Sequence, residues 1–345
     1  MLNERENWLR AVQFQHPEWI PCSMSFPPAV WKVFRHDLER ILLDHPKLFP
    51  EYREGSVDFD ETPPVYRQGE YYRDNWGCVW RNIQDGIEGQ VVEPPLADWG
   101  ALTTYRPPDP STKTERGERD WDQIAREVEE RKKKQLLTWG QGERLFDRLY
   151  FLRGFDNLMM DFATDDPRLP ELIGMLTEYE LDLVGRWLEL DVDVVGFHTD
   201  IATQKSLMIS PAKFRQYIKP MFTTIFQTCR KAGKPVQLSS DGRVLEIVDD
   251  LIECGVSVHD PQLRANTLDG IAGAYKGRLC AKVDLDRQSF PFLGPEQLRA
   301  QVKEVVDRMA APEGGLMIWA AISAADVPLR NIEALCEAME DYCLS

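Results

Sequence analysis

The run VDVVGFHTDIATQ, residues 192–204, carries an apolar β-branched segment straight into an imidazole and a carboxylate. His198 and Asp200 stand two residues apart, so in an extended strand they share a face. On one face the pair can act as acid and base or bind a metal. The competing readings are a histidine satisfied by backbone and an aspartate that caps the chain before the next helix. Gln204 is placed to hydrogen-bond the same ligand. The pattern recurs downstream: PVQLSSDG (235–242) delivers Ser239 and Asp241, VSVHDPQ (256–262) delivers His259, and LCAKVDLDRQ (279–288) delivers Lys282, Asp284, Asp286 and Arg287. In α/β proteins the carboxyl ends of strands are where ligands sit.

These residues imply acid–base chemistry on a small molecule. Asp200, His198 and Asp241 are the catalytic candidates. Gln204, Ser239, His259, Lys282, Asp284 and Arg287 are candidates for substrate binding, with Trp76 and Trp319 as pocket walls. Asp241 also reads as an N-cap for a helix beginning at Arg243, a role contributing about 1 kcal/mol. Lys282, Asp284 and Asp286 share a face if the strand stays extended; an internal ion pair is the plainer role for them, an anion anchor at Lys282 or Arg287 the functional one.

The elements that must position these groups alternate from Leu169 onward. Helical spacing over 169–190, a strand at 192–197, and a helix opened by Ser210-Pro211 and kinked by the internal Pro220 come first. Strand 235–239, helix 243–253, strand 256–259, a short helix near 267–275, strand 279–283, helix 295–309, strand 315–320 and helix 328–342 follow. Repeated strand-then-helix units imply parallel strands with right-handed crossovers, and closure into a barrel is favoured over an open sheet. No GxGxxG turn follows any strand, which removes the usual support for a dinucleotide-binding sheet. The first 150 residues are less regular: a helix at 3–14, a strand at 19–25, and a strand or hairpin in DNWGCVWRN (74–82). Residues 115–135 read as a charged helix with a solvated face, ending in Lys132-Lys133-Lys134. No linker marks a second domain, so residues 1–345 are read as a single domain.

With 41 Lys and Arg against 57 Asp and Glu, the formal net charge of −16 argues against nucleic acid or an anionic membrane as partner. It leaves open an anionic small substrate in a locally basic pocket. Seven cysteines without CxxC pairing fit a reduced, cytoplasmic compartment better than a disulfide framework. The charged, amphipathic start MLNERENWLRAV has no apolar signal core, and no stretch approaches the roughly 20 apolar residues of a membrane span.

Read in order, the segments RENWLRAVQFQHPEWIPC (5–22), DNWGCVW, FLRGFDNLMMDF (151–162), FHTDIATQKSLMISPAKFRQYIKPMF (197–222), SSDGRVLEIVDDLIECGV (239–256) and DVPLRNIEAL (326–335) resemble the uroporphyrinogen decarboxylase superfamily, which includes the decarboxylase and methyltransferases that work with corrinoid proteins. The resemblance implies a (β/α)8 TIM barrel with its site at the carboxyl-terminal mouth, here with an irregular strand-containing insertion near that mouth. The departures narrow the function. The loop SMSFPPAVW (23–31) lacks the arginines with which the decarboxylase holds its substrate's carboxylates, which disfavours uroporphyrinogen itself. Zinc methyltransferases of the superfamily carry His-x-Cys-Gly where this chain has Ser239-Ser240-Asp241-Gly242, and a last cysteine near Ala321, so the thiolate zinc site is dismantled. The resemblance therefore implies methyl transfer from a small methylated substrate to a separate corrinoid protein docked over the mouth. Decarboxylation of a smaller acid, anchored by Lys282, Arg287 or Arg153, is the second reading, and a ligand-binding barrel without chemistry the third.

Overall fold

The computed structural model describes residues 2–62 and 64–344. The first part of the chain runs α1 (Glu4–Gln13), β1 (Cys22–Ser25) and α2 (Pro28–Asp44), then the strands β2 (Tyr71–Arg73), β3 (Val79–Arg81) and β4 (Gln90–Glu93), then α3 (Trp121–Lys133). Next come β5 (Trp139–Arg144), α4 (Phe146–Arg153), α5 (Phe155–Thr164), α6 (Leu169–Glu189), β6 (Val194–His198), α7 (Pro211–Lys213) and α8 (Lys219–Lys231). The last third runs β7 (Val236–Ser239), α9 (Val248–Cys254), β8 (Val258–His259), α10 (Leu263–Asn266), α11 (Leu268–Tyr275), β9 (Cys280–Asp284), α12 (Pro295–Met309), β10 (Leu316–Ala321) and α13 (Leu329–Cys343).

Seven strands pair in parallel in the order β1-β10-β9-β8-β7-β6-β5, while β2-β3-β4 form a separate antiparallel sheet. The helices pack on the outer face. Phe197 of β6 meets Phe226 of α8 with ring centroids 5.0 Å apart, and Leu238, Val283 and Ile318 are buried in the same large apolar cluster. At the amino ends of the strands the inner face is plugged by α1. Ala11 and Val12 form a small cluster of their own with Val258, Cys280 and Met317. That close approach depends on glycine: a Cβ on Gly315, where φ is +83°, would lie 2.2 Å from the Phe14 ring.

The eight-stranded closure expected from the sequence is not what the described residues form. Seven strands are present, and a seam separates β1 from β5. The chain crosses this seam after α2, where Pro46, Pro50 and Gly55 interrupt any regular strand. Further local features have physical causes. Strand β5 was hidden because GQGER has no β-branched residues. Its glycines are steric necessities, since a Cβ on Gly140 would fall 2.8 Å from Trp187 and one on Gly142 2.3 Å from Phe197. Pro220 lies inside a helical run from Pro211 to Lys231, and the irregularity expected of it takes the form of a π-helical turn at Phe214–Ile218 just before it. The helix expected over 115–135 begins only at Trp121, with Asp120 as its cap. Among the described residues, no helix is long and apolar enough to cross a membrane.

Candidate functional site

A cavity of about 860 Å³ opens at the carboxyl ends of β5, β6 and β7, lined by His198, Asp200, Ser239 and Asp241 among others. Alternation along β6 and β7 sends Phe197 and Leu238 out to the helices, so His198 and Ser239, paired in register, turn inward. Beyond the strand ends, three aspartates are joined in a row through their backbones. The N–H of Asp200 donates to Oδ1 of Asp147 at 2.6 Å, and the N–H of Asp241 donates to Oδ1 of Asp200 at 3.1 Å. Arg287 closes the row, its guanidinium 2.6 Å from Oδ2 of Asp241 and 3.7 Å from Asp284.

Burial and crowding of like charges set the proton affinities in this row. Desolvation, with the Asp200 charge second, raises Asp147 from 3.8 to about 7. Desolvation and then Asp241 raise Asp200. Desolvation lowers His198, helped by Arg144 and Lys282. Near neutral pH the mouth thus holds a neutral imidazole beside Asp147, a carboxyl group that is still partly protonated, an arrangement suited to general-acid chemistry.

The wall opposite β6 is an ion network. Arg144 reaches Glu88 at 2.7 Å and Glu115 at 3.3 Å. The fully buried Arg148 contacts Asp74 at 3.3 Å, Glu115 at 3.2 Å and Glu143 at 3.3 Å, and lies over the Trp76 ring. Breaking one member of such a network strands a buried charge, which costs about 3–5 kcal/mol. The network ties the antiparallel sheet to β5 and thereby fixes the mouth. It also corrects the expectation for residues 115–120: Glu115, Arg116 and Arg119 line the cavity instead of forming a solvated helix face.

The other sequence candidates are distributed elsewhere. His259 does not face the cavity. One-residue alternation turns it outward, where Nδ1 lies 2.9 Å from the Tyr275 hydroxyl and desolvation lowers its pKa to about 3. Gln204 donates to Gln262 at 3.0 Å and is not part of the lining. Lys282 points inward but lines a second cavity toward the amino ends of the strands. Trp319 lies beneath the Lys282 ammonium and donates to Ser25, while Trp76 is buried against Arg148 and Tyr179; neither walls the mouth. Asp241 does not cap a helix, because Leu245–Ile247 is a 3-10 turn and α9 starts at Val248; Asn266 accepts the Val244 N–H instead. The ion pair expected within the Lys282 cluster forms from Arg287 to Asp284, and Asp286 pairs with Arg264.

Two residues of the site were not singled out by sequence. Asp147 lies in the first turn of α4, with no pattern to mark it until β5 is recognised. Asp260 follows His259 and, by the same alternation, turns inward. It accepts from the Ser239 hydroxyl and from the Ser240 N–H at 3.0 Å, and desolvation raises it to about 6. The strand-end rule that selected His259 pointed one residue short.

A thiolate zinc centre does not fit this site. Ser239 and Asp241 bring hydroxyl and carboxylate, Ala321 brings no donor, and none of the seven cysteines lines the cavity. Among the described residues, no three His, Cys, Asp or Glu side chains are grouped to hold a metal ion.

A curled parallel sheet with polar groups gathered at its carboxyl ends defines an α/β protein built like the barrel enzymes. The uroporphyrinogen decarboxylase (URO-D) family pattern matches residues 85–342, and the chain belongs to that family, whose members are enzymes. A methyltransferase from Methanosarcina mazei has a similar structure, with a TM-score of 0.63 at 16% identity, covering 98% of each chain. A D-psicose 3-epimerase aligns with a TM-score of 0.41 at 9% identity over 65% of this chain and 84% of its own, too low to carry an argument. No curated protein matches the chain significantly.

Proposed function

We propose that this chain is a methyltransferase that takes a methyl group from a small methylated substrate, such as an aryl methyl ether or a methylated amine, and delivers it to a corrinoid protein docked over the mouth. Family membership and the methyltransferase of like fold support the reading. The observation that carries it is the Asp147–Asp200–Asp241 row at the cavity. An alkoxide or phenoxide is a poor leaving group unless it is protonated as the bond to methyl breaks. Asp147, with a pKa of about 7, is partly protonated near neutral pH, and Asp200, raised by burial, presents its carboxyl to the cavity. His198, kept neutral, orients the leaving heteroatom by hydrogen bonding. Arg287 pairs with Asp241 and lowers the proton affinity of Asp200, so that the proton is released as the bond to methyl breaks. The corrinoid, when its carrier is bound, supplies the acceptor for the methyl group.

The test is transfer to free reduced cobalamin from a panel of methyl ethers and methylamines. Methylcobalamin formation that falls at least about a hundredfold in Asp200→Asn supports the reading. Carbon dioxide release from a carboxylic acid, without methyl transfer, replaces it with the lyase reading.

A further inference from the structure

The second cavity, about 520 Å³, lies toward the amino ends of the strands and is lined by Trp8, Ser23, Trp139, Gln237, Lys282 and Met317, among others. It shares no lining residue with the mouth. Its entrance follows from the seam: Ser23 of β1 and Trp139 of β5 face it from the two unpaired sheet edges, with Leu48 and Pro50 of the crossing segment between them. Had an eighth strand closed the sheet, this route would be filled.

What distinguishes the chamber is its lysine. Among the described residues, Lys282 has no hydrogen-bond or ion-pair partner; its ammonium rests on the Trp319 ring, 4.9 Å from the centroid. The nearest carboxylates are committed elsewhere, Asp260 to Ser239 and Ser240, Asp284 to Arg287. Desolvation lowers the Lys282 pKa, opposed in part by the charges of Asp260 and Asp284, neither of which reaches it as a direct partner. The rest of the wall combines Trp8 and Trp139, packed edge to face at 5.2 Å, with Glu4, Lys47 and the Arg131–Glu51 ion pair. Ligand cavities of roughly 300–1,000 Å³ typically combine such aromatic walls with a few polar groups.

The geometry points to this chamber as a second binding site, for a small aromatic carboxylate whose ring lies against Trp8 and Trp139 and whose carboxylate is held by Lys282 and Gln237. Its bound anion supplies the direct partner that Lys282 lacks. The site stands apart from the proposed methyl transfer and does not depend on it.

Calorimetry with benzoate and its neutral isostere benzamide tests the assignment. Benzoate is expected to bind saturably, and benzamide at least about tenfold more weakly, because only the anion forms the charge-assisted bond. Lys282→Met, and independently Ser23→Phe, which fills the chamber, should each weaken benzoate by at least about tenfold; Arg287→Gln at the mouth should leave it unchanged. The benzoate–benzamide comparison needs only the wild-type protein, so it stands even where a substitution unfolds the chain. Absent saturable benzoate binding, equal binding of benzamide, or loss of binding on Arg287→Gln with Lys282→Met unaffected would each overturn the proposal.

Discussion

The amide of Asp200 donates to a carboxylate oxygen of Asp147 at 2.6 Å, so two acidic residues from neighbouring strand–helix units are fixed side by side. Because Asp147 is buried and faces the Asp200 charge, its pKa rises from 3.8 to about 7. The native state then binds a proton that the unfolded chain has released, and stability falls as pH rises from about 4 to about 7. Asp147→Asn keeps an acceptor for the amide and removes the titration. The variant should exceed wild type in stability by about 1–3 kcal/mol at pH 8, with the gap closing below about pH 4.5, as read by denaturant unfolding at the two pH values.

Arg287 bears on both stability and function. Its partner Asp241 is about half exposed, with 47% of its side chain accessible. That pair alone contributes at most about 1 kcal/mol, but Arg287→Gln also takes the cation from the buried Asp284, so the variant should lose about 1–3 kcal/mol. Turnover should also fall by about tenfold or more, because without the guanidinium the Asp241 charge raises Asp200 further and makes it a weaker acid. Urea titration and steady-state kinetics on one preparation measure both.

His259 should behave as a structural residue. Its pKa is lowered to about 3 by burial, so its contribution to stability is present above the unfolded value near 6.5 and is lost as pH falls toward 3. His259→Phe leaves the Tyr275 hydroxyl without its partner and should cost about 1–3 kcal/mol at neutral pH. It should also flatten acid unfolding between pH 6.5 and 3, with turnover of the folded variant unchanged. A pH series of melting curves checks the sign.

The turn that aims Asp241 depends on Gly242, where φ is +90° and a Cβ would lie 2.6 Å from the carbonyl group of Ala202. Gly242→Ala combines left-handed strain with a backbone clash and should cost roughly 2–4 kcal/mol. Because the adjacent Asp241 shifts with the turn, activity should fall in the same variant, while Gly233→Ala, at a left-handed glycine with open space around it, should lose stability alone.

Much of this architecture was legible where the side chains themselves report burial. VVGFH, VQLSS and CAKVD read as strands because β-branched and apolar residues alternate with polar ones, and His198, Asp200, Ser239 and Asp241 do meet at one cavity. Strand β5 escaped notice because the close approach of Trp187 and Phe197 requires glycine at 140 and 142, and glycine erases the strand signal. Asp147 was lost with it. His259 and Asp260 show the limit of position without phase, since neighbouring strand residues face opposite sides of the sheet. The seam between β1 and β5 left no positive mark in the sequence.

The central claim is that the Asp147–Asp200 pair protonates the atom that leaves the methyl group. It is tested most directly by a series of para-substituted methyl phenyl ethers assayed with reduced cobalamin. In wild type, methylcobalamin formation should depend weakly on the acidity of the departing phenol, because the proton arrives with bond cleavage. In Asp200→Asn the dependence should steepen, with the poorest leaving groups losing about a hundredfold or more and the best losing little. A variant with the wild-type slope and rate would contradict the account.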